Sequence, residues 1–296
     1  MRVFVTGATG FIGSTIVAEL LRHGHQVLGL TRSDAGAQAL AGMGAEAHRG
    51  SLEDLDSLRR GAAQSDGVIH CAFDHDFSNF AANCEKDSRV IAALGAALAG
   101  SDRPLVVTSG VGMGSPGHGQ LAIEDVFNPG HPNPRRASEL AANALAADGI
   151  NVSIMRLPQV HDTMKHGLIT YAITVARDKG VSAYVGEGSN RFAAAHVLDV
   201  ARLYRLAIEK AELGARYHAV AEEGVAFRDI AEVIGRGLGV PSVSLSPEQA
   251  ATHFGWLGMF AGLDLAASSE QTRAKLDWTP LGPGLLQDLE GHFKTQ

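Results

Sequence analysis

The stretch VFVTGATGFIGSTIVAELL, residues 3 to 21, constrains this chain more than any other. Val3, Phe4 and Val5 are consecutively apolar and bulky, the pattern of a strand buried on both faces. Ile12, Ile16, Leu20 and Leu21 then repeat at helical spacing. Gly7, Gly10 and Gly13 lie between the two patterns, so a strand becomes a helix across a glycine turn. Gly7 permits the tight turn, Gly10 lets the backbone approach a bulky anion, and Gly13 lets the helix pack close to the strand. The first free N–H groups of the helix and its positive dipole end favour a pyrophosphate. The spacing is GxxGxxG, one residue longer than GxGxxG. A second strand at 26–30 completes the context that such a turn needs to hold a dinucleotide.

The first half continues the alternation. Strands are expected at 2–6, 26–30, 45–48, 67–71, 104–108 and 151–156. Helices are expected at 11–23, 35–43, 52–62, 80–99 and 135–148. Such an order predicts an α/β fold, a doubly wound parallel sheet with right-handed crossovers. The connection 110–134 holds six glycines and four prolines and follows a strand's carboxyl end, where loops face ligands in these folds. Past residue 157 the pattern loosens. A short strand, a turn and a long amphipathic helix from about 196 are expected. "RYHAVAEEGVAFRDIAEVIGRGLG" predicts a strand, a turn and another helix. Segments 161–190 and 240–283 are the expected cap. The predicted division is therefore a nucleotide-binding domain over 1–160 and a substrate-binding region over 161–296, with some of its elements packing back on the first domain.

A net charge of −7 argues against nucleic acid and anionic membranes as partners. Two cysteines, Cys71 and Cys84, give no disulfide framework or structural zinc site. No signal peptide is seen and no apolar run is long enough to span a bilayer, so a soluble cytoplasmic protein is expected. Its expected partner is a small-molecule substrate, with a homodimer held open.

With the opening turn, "GSLEDLDSL", "VIHCAF", "LVVTSG", "RLPQVH" and "HVLDVARL" occur in order. By these motifs the chain resembles the extended and atypical short-chain dehydrogenase/reductases, nearest the atypical subgroup labelled NAD-dependent epimerase/dehydratase. "YVGEGSNRF", "YHAVAEEG" and "FGWLG" also look like that subgroup. The resemblance runs to the C-terminal "LDWTPLGPGLLQDL" and implies a Rossmann sheet of about seven strands with a small C-terminal substrate domain. It also implies cofactor contacts at Gly7, Thr9, Gly10, Phe11, Ile12, Gly13, Ser51, Leu52, Ala72, Phe73, Thr108, Pro158 and Val160. At the end of the second strand an acidic residue would bind the ribose hydroxyl of NAD, whereas arginine accommodates the 2′-phosphate of NADP. Thr31, Arg32 and Ser33 stand there, so NADP(H) is favoured over NAD(H), with Asp34 opposing only if it turns inward.

Members of the superfamily usually carry Asn, Ser, Tyr and a Lys four residues after the Tyr. The resemblance puts Ser109 at the serine place and Asp87 at the asparagine place. YxxxK is absent, for none of the four tyrosines has a lysine four residues on. Anchoring on Glu139 puts Arg135 at the lysine place and His131 at the tyrosine place. Arginine keeps its proton and serves as an electrostatic anchor. Histidine titrates near neutrality and could donate a proton. His70, His75, His118, His161 and His196 compete for that role. "HDTMKH" and "DHD" do not place three ligands at zinc spacing, so no metal is assigned. Cys71 is expected to pack. Three functions stand: an NADPH-dependent carbonyl oxidoreductase, a sugar-nucleotide epimerase or dehydratase, and an NADP-binding sensor without catalysis. Trp256, Met259 and Phe260 suggest an apolar wall for the substrate.

Overall fold

A computed structural model describes residues 1–117 and 119–294, so His118 lies outside the described residues. The first half is built as β1 (Arg2–Thr6), α1 (Phe11–Arg22), β2 (Gln26–Thr31), α2 (Asp34–Met43), β3 (Glu46–Arg49) and α3 (Leu55–Ala63). It continues through β4 (Gly67–His70), α4 (Phe80–Ala96), β5 (Leu105–Gly110), α5 (Arg136–Ala147) and β6 (Val152–Leu157). The second half runs β7 (Gln159–His161), α6 (Ile169–Lys179), β8 (Ser182–Val185), β9 (Arg191–His196), α7 (Val197–Lys210), β10 (Arg216–His218) and β11 (Glu222–Ala226). Then follow α8 (Phe227–Leu238), β12 (Ser242–Leu245), α9 (Pro247–Phe254), α10 (Gly258–Ala261), α11 (Glu270–Leu276) and α12 (Leu285–Lys294).

Seven strands form one sheet in the order β10-β6-β5-β4-β1-β2-β3. Every pairing in it is parallel. Successive strands move outward on one side from β1 to β3 and on the other from β4 to β6. The direction reverses between β1 and β4, and ligands in such sheets bind beyond the carboxyl ends of the strands at that crevice. Thr6 pairs with His70 at this point, which sets the glycine turn beside the chain leaving β4.

Both faces are covered, as a parallel sheet requires. Ile16, Val17 and Leu20 of α1 pack with Val200, Leu203 and Tyr204 of α7 on one face. Leu58 of α3, Ile91 and Leu94 of α4 and Leu145 of α5 cover the other. A separate core forms in the cap from Ile169, Ile173, Ile230, Ile234, Phe254 and Leu289. There β11, β9 and β7 make a small sheet, and β12 pairs with β8. No helix among the described residues is long and apolar enough to cross a membrane.

Three local expectations are corrected. The third helix starts at Leu55 instead of 52, because Asp54 caps it by accepting from Ser57 N at 2.9 Å. The helix expected over 80–99 is helical only to Ala96. The turn expected after Tyr217 contains a strand, β11, which pairs antiparallel with β9 and shifts register between Glu222 and Val225. That irregularity hides the two-residue period that would have marked it.

Candidate functional site

Gly7 sits at φ +71°, the left-handed region that favours glycine, and a Cβ there would come within 2.9 Å of Ala72 N. At Gly13 a Cβ would come 2.0 Å from Gly7 O, so helix and turn touch backbone to backbone. Gly10 N donates to Gly7 O at 2.9 Å and closes the turn. Gly10 is also the N-cap of α1, where no side chain caps and no acid occupies the first turn. By contrast α2 is capped by the Ser33 hydroxyl and α3 by Asp54. Only α1, of these three, keeps its first donors for an outside anion. The residues present therefore fit a dinucleotide pyrophosphate. Thr9 and Gly10 are exposed, and Phe11 and Ile12 half-buried. The exposed Lys165, unremarked in the sequence except within "HDTMKH", sets its Nζ 5.7 Å from the Phe11 ring.

At the end of β2, Arg32 and Ser33 are exposed, whereas Thr31 is buried. The two hydroxyls expected beside Arg32 are thus not equivalent: Thr31 turns inward, and only Ser33 faces outward, its oxygen accepting from Gly36 N. Thr31 pairs in register with Arg49 of β3, which brings a second cation to the same edge. Asp34 points to Arg49, 3.2 Å away, and is 94% exposed. Ser51 caps the loop after β3 by accepting from Glu53 N. Leu52, Leu55 and Arg89 line a cavity of about 200 Å³ with Glu53 and Lys86.

Beyond β4 and β5 a buried polar network takes over. Ala72 N donates to Thr6 Oγ1 at 3.3 Å. The Phe73 ring lies 4.0 Å from the Arg135 guanidinium. Arg135 donates to Asp87 Oδ2 at 2.6 Å, to Ser138 Oγ at 2.7 Å and to Thr108 O at 2.9 Å. The other Asp87 oxygen meets His70 Nε2 at 2.9 Å, and His70 Nδ1 meets Thr6 Oγ1 at 2.7 Å. Burial alone pushes the Asp87 carboxyl up, but Arg135 and His70 outweigh it and hold it far below the usual carboxylate range. His70, which the sequence offered only as a competing proton donor, is therefore a link between the first strand and Asp87.

Ser109 is buried and donates to Glu139 Oε1 at 2.7 Å. Glu139 also accepts from Arg156 Nε and Nη2, both at 2.8 Å, and both side chains are fully buried. Thr108 Oγ1 donates to His70 O and shares a 2.6 Å hydrogen bond with the Tyr204 hydroxyl. Burial pushes the Tyr204 phenol well above its usual value. Asp87, Arg135 and Ser109 are thus gathered at the ends of β4 and β5, through Thr108 O. His131 bonds to none of them: its Nδ1 accepts from Asn133 N at 3.1 Å, which leaves the ring proton of the neutral form on Nε2. Burial and the Arg136 charge hold His131 below its usual pKa. Pro158 is half-buried, while the Val160 side chain belongs to the core with Ala195. His161 is fully buried and meets Asp288 at 2.7 Å, near the His196 ring. Among the described residues no group of three or more metal-binding side chains comes together.

The family model described as NAD dependent epimerase/dehydratase family matches residues 3–221. An uncharacterized protein of Schizosaccharomyces pombe is 47% identical over 290 residues, covering 98% of both chains. An uncharacterized protein of Saccharomyces cerevisiae is 41% identical over 297 residues, covering 99% of both. A dTDP-glucose 4,6-dehydratase of Streptomyces venezuelae, solved with NAD bound, superposes with a TM-score of 0.79 at 21% identity over 99% of this chain and 97% of that one.

Proposed function

The chain belongs to the NAD-dependent epimerase/dehydratase family, and from that premise we propose that it is an NADPH-dependent oxidoreductase acting on a carbonyl of a small organic molecule. Residues 1–160 hold the cofactor in this reading and 161–296 the substrate. The single observation that carries it is the Asp87–Arg135 pair, anchored on Thr108 O, with Arg135 at the position the resemblance gives to the superfamily's lysine. A buried carboxylate fixes the guanidinium in place, so Arg135 offers a permanent positive charge and donors for ribose hydroxyls. Hydride exchange with the substrate carbon is the chemistry the nicotinamide supplies when bound.

Gly7, Gly10, Gly13 and the uncapped start of α1 hold the pyrophosphate. Thr9, Phe11 and Ile12 line that turn, Ser51 and Leu52 meet the adenine side, and Ala72, Phe73, Thr108 and Pro158 border the middle. Arg32, Ser33 and Arg49 favour a 2′-phosphate, since Asp34 is drawn toward Arg49. Val160 contributes through its backbone alone. Ser109 polarises the substrate oxygen by turning its hydroxyl from Glu139, which keeps both bonds to Arg156 when that proton leaves. His131 Nε2 supplies the proton. Its lowered pKa makes the charged, acidic form scarce at neutrality, so reduction quickens only as pH falls below the usual histidine range.

The retained-cofactor epimerase reading needs an activated tyrosine. Tyr204 is buried with its hydroxyl committed to Thr108, which weighs against it. The test is NADPH oxidation over a panel of carbonyl compounds. Ser109→Ala should lower turnover roughly ten- to a thousandfold, the range for loss of an oxyanion donor, with NADPH affinity nearly unchanged. His131→Phe should flatten the acid limb. A flat response to Ser109→Ala in an active preparation removes its role, and no oxidation with any carbonyl leaves the sensor reading.

A further inference from the structure

The chain leaving β4 carries an unusual density of rings toward the cap. Phe73, stacked on Arg135, meets Phe80 at 6.2 Å and His75 at 5.4 Å between centroids. Phe77 lies flat against Trp256, with centroids 4.4 Å apart and planes 8° from parallel. Tyr171 of α6 closes edge-on to Trp256 at 4.9 Å, and Phe260 of α10 stands edge-on to Phe77 at 6.1 Å. These rings touch in series from the guanidinium beyond β4 and β5 out to the cap. Trp256 is still 36% exposed and Tyr171 40% exposed, so the outer end of the series faces solvent.

The charges around these rings sort their ligands. Arg135 is the only cation stacked on one of these rings among the described residues, it is paired with the Asp87 carboxylate, and its remaining N–H groups are those assigned above to the ribose hydroxyls. The loop itself adds carboxylates: Asp74, paired with Lys86, and Asp76, which caps Ser78 and Asn79. A sugar nucleotide would bring two negative phosphates against rings and the Asp74 and Asp76 carboxylates, where the one stacked guanidinium is already paired with Asp87, and poorly paired anions are costly to desolvate. A flat, uncharged ring meets the opposite circumstances, because offset and edge-on contacts with Trp256, Phe260 and Tyr171 suit a neutral π-face.

Resting on the oxidoreductase reading above, we infer that the substrate is a neutral aromatic carbonyl compound whose ring displaces Phe77 and stacks on Trp256. The Phe77–Trp256 stack is then the closed form of the entrance, held by the same contact the ligand will make. Two consequences separate this from a merely structural cluster. Losing Trp256 weakens ring binding, whereas losing Phe77 removes the competitor and strengthens it.

Equilibrium dialysis of the full chain, saturated with NADP⁺ so that no carbonyl is reduced during the measurement, against acetophenone, cyclohexyl methyl ketone and UDP-glucose tests this. Acetophenone should bind roughly tenfold or more tightly than its saturated analogue, the scale of one stacked ring. Trp256→Ala should erase that preference and Phe77→Ala should preserve or enlarge it. Trp278, buried elsewhere against Arg273, provides a fluorescence check that the variants remain folded. Acetophenone should also quench wild-type emission but not that of Trp256→Phe. Tighter binding of UDP-glucose, equal binding of both ketones, no binding of either, or a ring preference that survives Trp256→Ala overturns the inference. Ring-selective binding without NADPH oxidation overturns the oxidoreductase reading and leaves the ring site standing. Oxidation driven equally by saturated carbonyls does the reverse.

Discussion

The glycine turn at residues 7–13 and the loop that ends at Arg135 both lie beyond carboxyl ends of strands in one sheet, yet different physics holds them. The turn is backbone against backbone: Gly13 touches Gly7 O, Gly7 abuts Ala72, and no side chain caps the start of α1. The second region is side chain against side chain. Asp87, Arg135, Ser138 and His70 form one buried network, and Ser109, Glu139 and Arg156 form another. A backbone cradle tolerates change in everything except the missing Cβ atoms. A charge network tolerates change in none of its members, because each removal strands a partner in low dielectric.

The largest test of that contrast is Glu139→Ala. Arg156 would be left fully buried without its carboxylate, and stability should fall by about 3–5 kcal/mol in denaturant titration. A loss below about 1 kcal/mol would mean that water or the Ile123 and Val126 carbonyls already satisfy Arg156, and the contrast would break. Next comes Gly10→Val. A Cβ there meets only Gly7 O, at 3.2 Å, so the fold should persist by circular dichroism while cofactor binding is lost. Retained tight binding would reduce the opening stretch to a simple turn. The smallest effect is at the rim. Arg32→Ala should cost NADPH about 1.5–3 kcal/mol relative to NADH, one charge-assisted phosphate contact. An unchanged affinity ratio from titrating both cofactors would transfer the 2′-phosphate reading away from Arg32.

What the sequence disclosed follows the same division. The parallel sheet and the glycine turn were legible because buried strands, helical stripes and glycine spacing are local signals, while the count of about seven strands came with the resemblance. The cap strand Glu222–Ala226 was not, since its register shift breaks the alternation. Asp87 and Arg135 were reachable only through resemblance, being 48 residues apart and joined solely by the fold. That the Ser109 proton goes to Glu139, or that Thr31 faces inward while Ser33 faces out, depends on rotamers that no spacing encodes. The wall contributed by Phe77, Phe80 and Tyr171 had no period to reveal it. Its rings come from the segment after β4, the start of α4 and the cap helices α6 and α10, and converge only after the chain has closed.

The state of the two thiols bears on how the chain meets electrophiles. Cys71 donates its S–H to Thr6 O, and burial pushes its pKa up to about 12; burial also pushes Cys84 up to about 11. At pH 7 a thiol with a pKa of about 12 is ionised in roughly one molecule in 10⁵, and the thiolate is the nucleophilic form. A thiol held so far from its thiolate is a poor nucleophile toward electrophiles that alkylate ordinary cysteines.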